Sequence, residues 1–155
     1  MKLSLAMKKR LFSLLLILGL TAVISSAYAQ ESEEPKVLKG MFIERLDDTF
    51  LHVEMVGVRM KFNVVDETYN PLEEPVFTRG VMRVEVKGRD SERVAIAKAS
   101  DGKSLQGVKT IRKPHILEAR GRLFKGEGDT TGEPFFVRYN QHRLEEKEVV
   151  PIPEK

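Results

Sequence analysis

The sequence predicts an all-β fold: a small antiparallel barrel or meander with an extra hairpin or small sheet toward its C-terminus, behind an N-terminal signal peptide. Three observations carry that expectation. Short segments rich in Val, Ile, Phe and Met alternate apolar and polar residues with period two, as half-buried strands do. Clusters of Asp, Gly, Pro and Asn separate these segments. Beyond residue 29 no window carries a helical stripe longer than about ten residues.

The chain opens MKLSLAMKKRLFSLLLILGLTAVISSAYAQES. Lys8, Lys9 and Arg10 precede an uncharged run from Leu11 to Ile24, and Ala27-Tyr28-Ala29 supplies the small-residue pattern of a cleavage site. This reads as a secretory signal peptide over 1–29, cut after Ala29, so the mature chain is expected in the periplasm or outside the cell with no transmembrane anchor. The apolar run is shorter than the roughly 20 residues a membrane-spanning helix needs. Met7, followed by Lys-Lys-Arg, is an equally good start. With no cysteine in the chain, the core must hold without disulfides in an oxidising compartment.

Processing also reverses the apparent charge. The full chain has 26 basic and 23 acidic residues, but segment 1–29 holds four of the basic ones and none of the acidic ones. The remainder is therefore close to neutral at −1, which weakens any argument for nucleic acid as partner.

The elements follow in order. QESEEPK, residues 30–36, is charged and proline-containing and reads as a flexible leader. Strands are expected near 37–46, 49–56, 58–65, 81–87, 93–99, 105–111, 116–124 and 135–139. Gly40 within the first suits a sharp bend that lets one strand serve two sides of a small barrel. The connector DETYNPLEEPVFT stands where an OB-type barrel places a helix or long loop between its third and fourth strands, and its two prolines disfavour a long helix. In RGVMRVEVKG, Met82, Val84 and Val86 alternate with Arg83, Glu85 and Lys87, giving one buried and one wet face. The organisation expected is an OB-like barrel core over 37–100, additional strands over 101–140 that extend it or pack on it, and an exposed tail over 141–155 with a turn or two of helix after Asn140. Edge strands of such a barrel offer a route to a homodimer.

HVEMVGVRMKF, residues 52–62, poses the sharpest functional question, because it sets one histidine and two methionines together. A turn at Val56-Gly57 pairs Met55 with Val58, Val53 with Met60, Leu51 with Phe62 and Glu54 with Arg59. On that register Met55 and Met60 face the core, and His52 joins Phe50 and Glu54 on the wet face.

KGMFIERLDDTFLHVEMVGVRMKFNV, and with it roughly 39–99, resembles the small periplasmic copper- and silver-binding chaperones of tripartite cation-efflux systems, which are five-stranded OB-type barrels. The resemblance implies that His52 stands at the family's histidine and Met60 at its second methionine, with Phe62 following. It departs at Val58, which replaces the first methionine, and in having no tryptophan. A Cu(I) or Ag(I) site would then draw on His52, Met55 and Met60, since thioethers suit soft cations. The same region is similar to a wider set of exported barrels with a Gly-containing first strand.

Charge concentrates between residues 101 and 125, where seven basic residues face two acidic ones. Arg112, Lys113, Arg120 and Arg122 read either as the solvated side of two adjacent strands or as a contact surface for an envelope protein, glycan or lipid head group. Catalysis has little support. His52, His115 and His142 lack metal-binding spacing, Ser91, Ser100 and Ser104 sit in turn-like contexts, and FKGEGDTTGEPFF reads as a hairpin loop rather than a phosphate cradle. The expected function is a non-enzymatic, exported binding or interaction module of the bacterial cell envelope, with no cofactor. The alternative is a periplasmic Cu(I)/Ag(I)-binding protein associated with metal efflux. An oligonucleotide-binding barrel is disfavoured.

Overall fold

A computed structural model describes residues 36–151. The signal peptide expected over 1–29, most of the leader and residues 152–155 lie outside the described residues. Nine strands follow in chain order: β1 (Val37–Glu44), β2 (Phe50–Val56), β3 (Arg59–Val65), β4 (Arg79–Val86), β5 (Glu92–Lys98), β6 (Leu105–Gly107), β7 (Ile116–Phe124), β8 (Glu133–Asn140) and β9 (Glu145–Glu148). They form one antiparallel sheet in the order β8-β7-β4-β5-β6-β3-β2-β1-β9, curled into a barrel-like wall. There is no helix among the described residues, and none long and apolar enough to cross a membrane.

The inner face of the curl is the core. Val53, Met60, Phe62, Met82, Ile96 and Leu123 are buried there, each at the inward phase of its strand. Phe62 and Phe135 meet edge to face across the interior, with ring centroids 5.3 Å apart.

The sheet runs without a break across residue 100. β6 is a three-residue strand that joins β3 to β5, and β7 adds directly to β4 over eight residue pairs. The 101–140 strands thus extend the wall that 37–100 begins. The expected strand over 105–111 stops at Gly107, and the chain then crosses an end of the barrel. There Ile111 is buried and its N–H donates to the Val58 carbonyl.

The 141–155 segment differs from the exposed tail with helical turns that was expected. Its residues Glu145–Glu148 form β9, which pairs with Val37–Gly40 of β1, and Val149 is buried. The physical reason is the free edge of β1. Its N-terminal half parts from β2 and leaves backbone groups that an acidic, apolar-poor segment can still satisfy. Lys39 and Glu146 add an exposed ion pair across the junction.

Gly40 is where β1 changes neighbour. Residues Met41 to Glu44 pair with β2, and Val37 to Gly40 pair with β9. A Cβ at Gly40 would lie 2.5 Å from His52 Nε2 and 2.6 Å from the Val53 carbonyl oxygen, so only glycine lets β1 pass this close to β2.

The β2–β3 hairpin keeps the expected faces but not the expected pairs. Observed pairs are Val56 with Arg59, Met55 with Met60, Glu54 with Lys61 and Val53 with Phe62. The loop is Gly57-Val58, with positive φ at Gly57 alone, as a type II′ turn requires. The pairing shifts by an even number of residues, which leaves each side chain on its face.

Candidate functional site

The residues singled out for a soft cation divide between the two sides of the sheet. Met55 and Met60 are direct cross-strand partners on the inner side; Met60 is fully buried and Met55 packs against the core. His52 lies on the outer side, yet it is wholly buried, which corrects its expected place on a wet face. Phe42, its partner on β1, stacks on the imidazole at 4.8 Å between ring centroids. Tyr69 from the 66–78 connector meets Phe42 and Phe50, and Lys147 of β9 lies over Tyr69. Two later segments thus roof what alternation alone assigns to solvent.

His52 Nε2 lies 3.4 Å from the Lys39 carbonyl oxygen, and Nδ1 has no hydrogen-bond partner. Burial pushes the imidazole pKa below its ordinary value; Lys61 acts in the same sense, while Glu54 and the Lys39 carbonyl oppose it. His52, Met55 and Met60 therefore do not converge on one coordination sphere. Among the described residues no three His, Cys, Asp or Glu side chains are grouped to hold a metal ion.

The acidic and hydroxyl residues near turns organise those turns. Asp101 accepts the Ser104 hydroxyl at 2.6 Å, two backbone N–H groups and a Lys61 contact, which hold its carboxyl well below the usual range. Asp129 accepts the N–H groups of Lys125, Thr131 and Gly132 in the β7–β8 loop, so FKGEGDTTGEPFF is a hairpin loop. His115 is buried beside the end of the 108–115 crossing, its Nε2 3.0 Å from the Ile111 carbonyl oxygen.

The four cations of the predicted contact surface also separate. Arg120 and Arg122 project from the outer face of β7, whereas exposed Arg112 and Lys113 sit in the crossing segment. Arg122 donates to the carbonyls of Thr131 and Gly132 and so staples the hairpin.

What joins Arg120 comes from other strands. Arg83 of β4 pairs with Arg93 of β5 on one side and with Arg120 of β7 on the other. Three exposed arginines thus stand in one row across adjacent strands, about 4.8 Å apart at the backbone. Arg120 is paired with Glu85 at 2.7 Å. Among the described residues, Arg83 and Arg93 have no carboxylate within ion-pair distance. Phe136 of β8 continues the row opposite Arg120 and is 48% exposed, with Arg138 over its ring at 5.6 Å. Sequence reading missed Arg83 and Arg93 because a cross-strand row is visible only once pairing is known. The Arg-x-Glu alternation of β4 was the one local signal.

An open cleft of about 870 Å³ lies at the ends of β4, β7 and β8, with Met41 its one lining residue from β1. Of its apolar lining residues, Leu117 and Tyr139 are buried in the core, Met41 and Val86 are half-buried, and Ile116 is exposed. The Tyr139 hydroxyl accepts the Met55 N–H at 3.2 Å, satisfying a β2 group that β1 leaves unpaired. No protein-family model, curated protein or solved structure matches the chain.

Proposed function

We propose that the protein is a non-enzymatic, exported binding module of the bacterial cell envelope that meets an anionic partner through the outer face of β5, β4, β7 and β8. The row Arg93–Arg83–Arg120 carries this reading. Like charges directly opposite on neighbouring strands destabilise a sheet, so an exposed row of them is better accounted for by a compensating anion than by folding. Of the anionic surfaces in an envelope, lipid head groups fit best. The guanidiniums stand on one broad face, and an exposed aromatic ring lies among them, able to enter the head-group layer. The signal peptide read from residues 1–29 agrees with that setting.

The test is co-sedimentation with phosphatidylglycerol vesicles, phosphatidylcholine vesicles serving as control. Binding to the anionic vesicles should fall between about 0.1 M and about 1 M salt as the screening length drops from ~10 to ~3 Å. Arg83→Gln with Arg93→Gln should weaken binding by about thirtyfold, from ~1 kcal/mol for each cation near an anionic surface. Equal binding to both vesicle types, or an unchanged affinity in the double variant, refutes the reading.

A further inference from the structure

The outer face around the arginine row is not flat. Val81 pairs with Ala95 on one side and with Arg122 on the other, and Arg122 pairs with Pro134. Short side chains therefore lie one pleat away from Arg93, Arg83 and Arg120, on the same face. Where Val81 and Pro134 meet the long arginines, the surface sinks into an open depression of about 500 Å³. Arg83, Arg93, Arg120 and Arg122 line it, and no aspartate or glutamate is among its lining residues. Guanidiniums from β4, β5 and β7 thus share one hollow.

Two of these arginines are already held in place. Arg122 Nη1 donates to the carbonyls of Thr131 and Gly132 at 2.6 and 3.2 Å, which leaves Nε and Nη2 for a ligand. Arg120 Nη2 donates to Glu85 at 2.7 Å, which leaves Nε and Nη1. A guanidinium fixed at one end loses less conformational freedom on binding, so the pair forms a preorganised base. Arg83 and Arg93 are exposed and, among the described residues, have no carboxylate within ion-pair distance, so they are free to close over it.

An anion with three terminal oxygens uses this arrangement most fully. A phosphate monoester carries a charge of about −1.5 to −2 near neutral pH and three strong acceptor oxygens. A phosphodiester or a carboxylate has a single charge and two such oxygens. The planar forks of arginine match phosphate bidentately, which a point charge cannot do. We propose that the depression binds the terminal phosphate monoester of a lipid head group, with Arg120 and Arg122 beneath the phosphate and Arg83 and Arg93 closing over it. This rests on the membrane-facing reading of the same face and names the head group that the face selects.

Co-sedimentation at pH 8 with vesicles of phosphatidic acid and of phosphatidylglycerol, each diluted in phosphatidylcholine to the same surface potential, tests it. Affinity for the phosphatidic acid vesicles should be about tenfold higher, the worth of one further charge-assisted hydrogen bond. Arg83→Lys with Arg93→Lys keeps the charge and removes the forks, so the ratio of the two affinities should fall toward one with the unfolding midpoint unchanged. Equal affinity for the two anionic vesicles, both above pure phosphatidylcholine, overturns the phosphate monoester and leaves the membrane-facing reading standing. Equal affinity for all three overturns both. A preference that survives intact in the lysine variant also overturns the proposal, because the forks would then play no part in it. Glycerol 3-phosphate binding in solution as tightly as the lipid would assign the site to a free phosphate ester and overturn the lipid source.

Discussion

Replacing Arg45 with methionine tests what holds the β1–β2 turn to the start of β8. The Arg45 side chain is only 4% exposed and stands over the Phe77 ring, 5.1 Å from its centroid. Its Nε and Nη2 donate to the two carboxylate oxygens of Glu133 at 2.6 and 2.9 Å, and Nη1 reaches Thr49 and Asp47. The bidentate bond to Glu133 holds the guanidinium pKa above its ordinary value. Breaking a fully buried pair costs about 3–5 kcal/mol, but Glu133 is 35% exposed and water can recover part of that. Methionine keeps the aliphatic packing on Phe77 and forfeits a cation–π contact of about 0.5–1 kcal/mol. The expected loss is ~2–3 kcal/mol, or about 10 °C in the melting midpoint for a domain of this size. A double-mutant cycle of Arg45→Met and Glu133→Gln, read by urea unfolding, should give a coupling of about 1.5–2 kcal/mol. A coupling below about 0.5 kcal/mol would place the pair among ordinary surface contacts and refute the argument.

His52 supplies a pH prediction. Its folded pKa is depressed, so the neutral form is favoured in the folded state, and stability is fully present above the unfolded value of about 6.5. Stability should then decline as pH falls from about 6.5 toward the folded pKa; urea midpoints at pH 8 and pH 5 check this, and His52→Leu should remove that part of the slope. Because Nδ1 has no partner, the same substitution should cost under about 1 kcal/mol at pH 8. Gly40→Ala forces a methyl into the His52 ring and the Val53 carbonyl and should cost ~2–3 kcal/mol in urea unfolding; an unchanged midpoint would show that β1 can move away at no cost. Met60→Ala in the packed interior should cost about 2–5 kcal/mol and Met60→Leu less than about 1.5, measured by thermal melting; equal losses would mean that the cavity does not dominate.

Period-two alternation was enough to locate eight of the nine strands, because a strand half buried in a sheet writes its two faces into local sequence. The inward phase of Met82, Val84, Val94 and Ile96 is legible in that way. So are the opposite faces of His52 and the two methionines, since an even shift in hairpin pairing cannot exchange them. The exact register was not legible, because it depended on Gly57 taking positive φ as the first of two loop residues. β9 was hidden for another reason. Glu145–Glu148 has no strand-like composition, and its pairing answers a free edge on β1 more than a hundred residues earlier.

The candidate sites depend still more on distant parts of the chain. His52 is buried by Phe42, which reaches it through the β1–β2 pairing, under a roof completed by Tyr69 and Lys147 from later segments. The arginine row exists because β4 lies between β5 and β7 in the sheet. Local sequence determined which side of each strand turns inward, since hydrophobic burial acts residue by residue along a pleated chain. Only the tertiary structure decided which outward faces lie side by side and which are covered, because those depend on pairings between segments that have no common local signal.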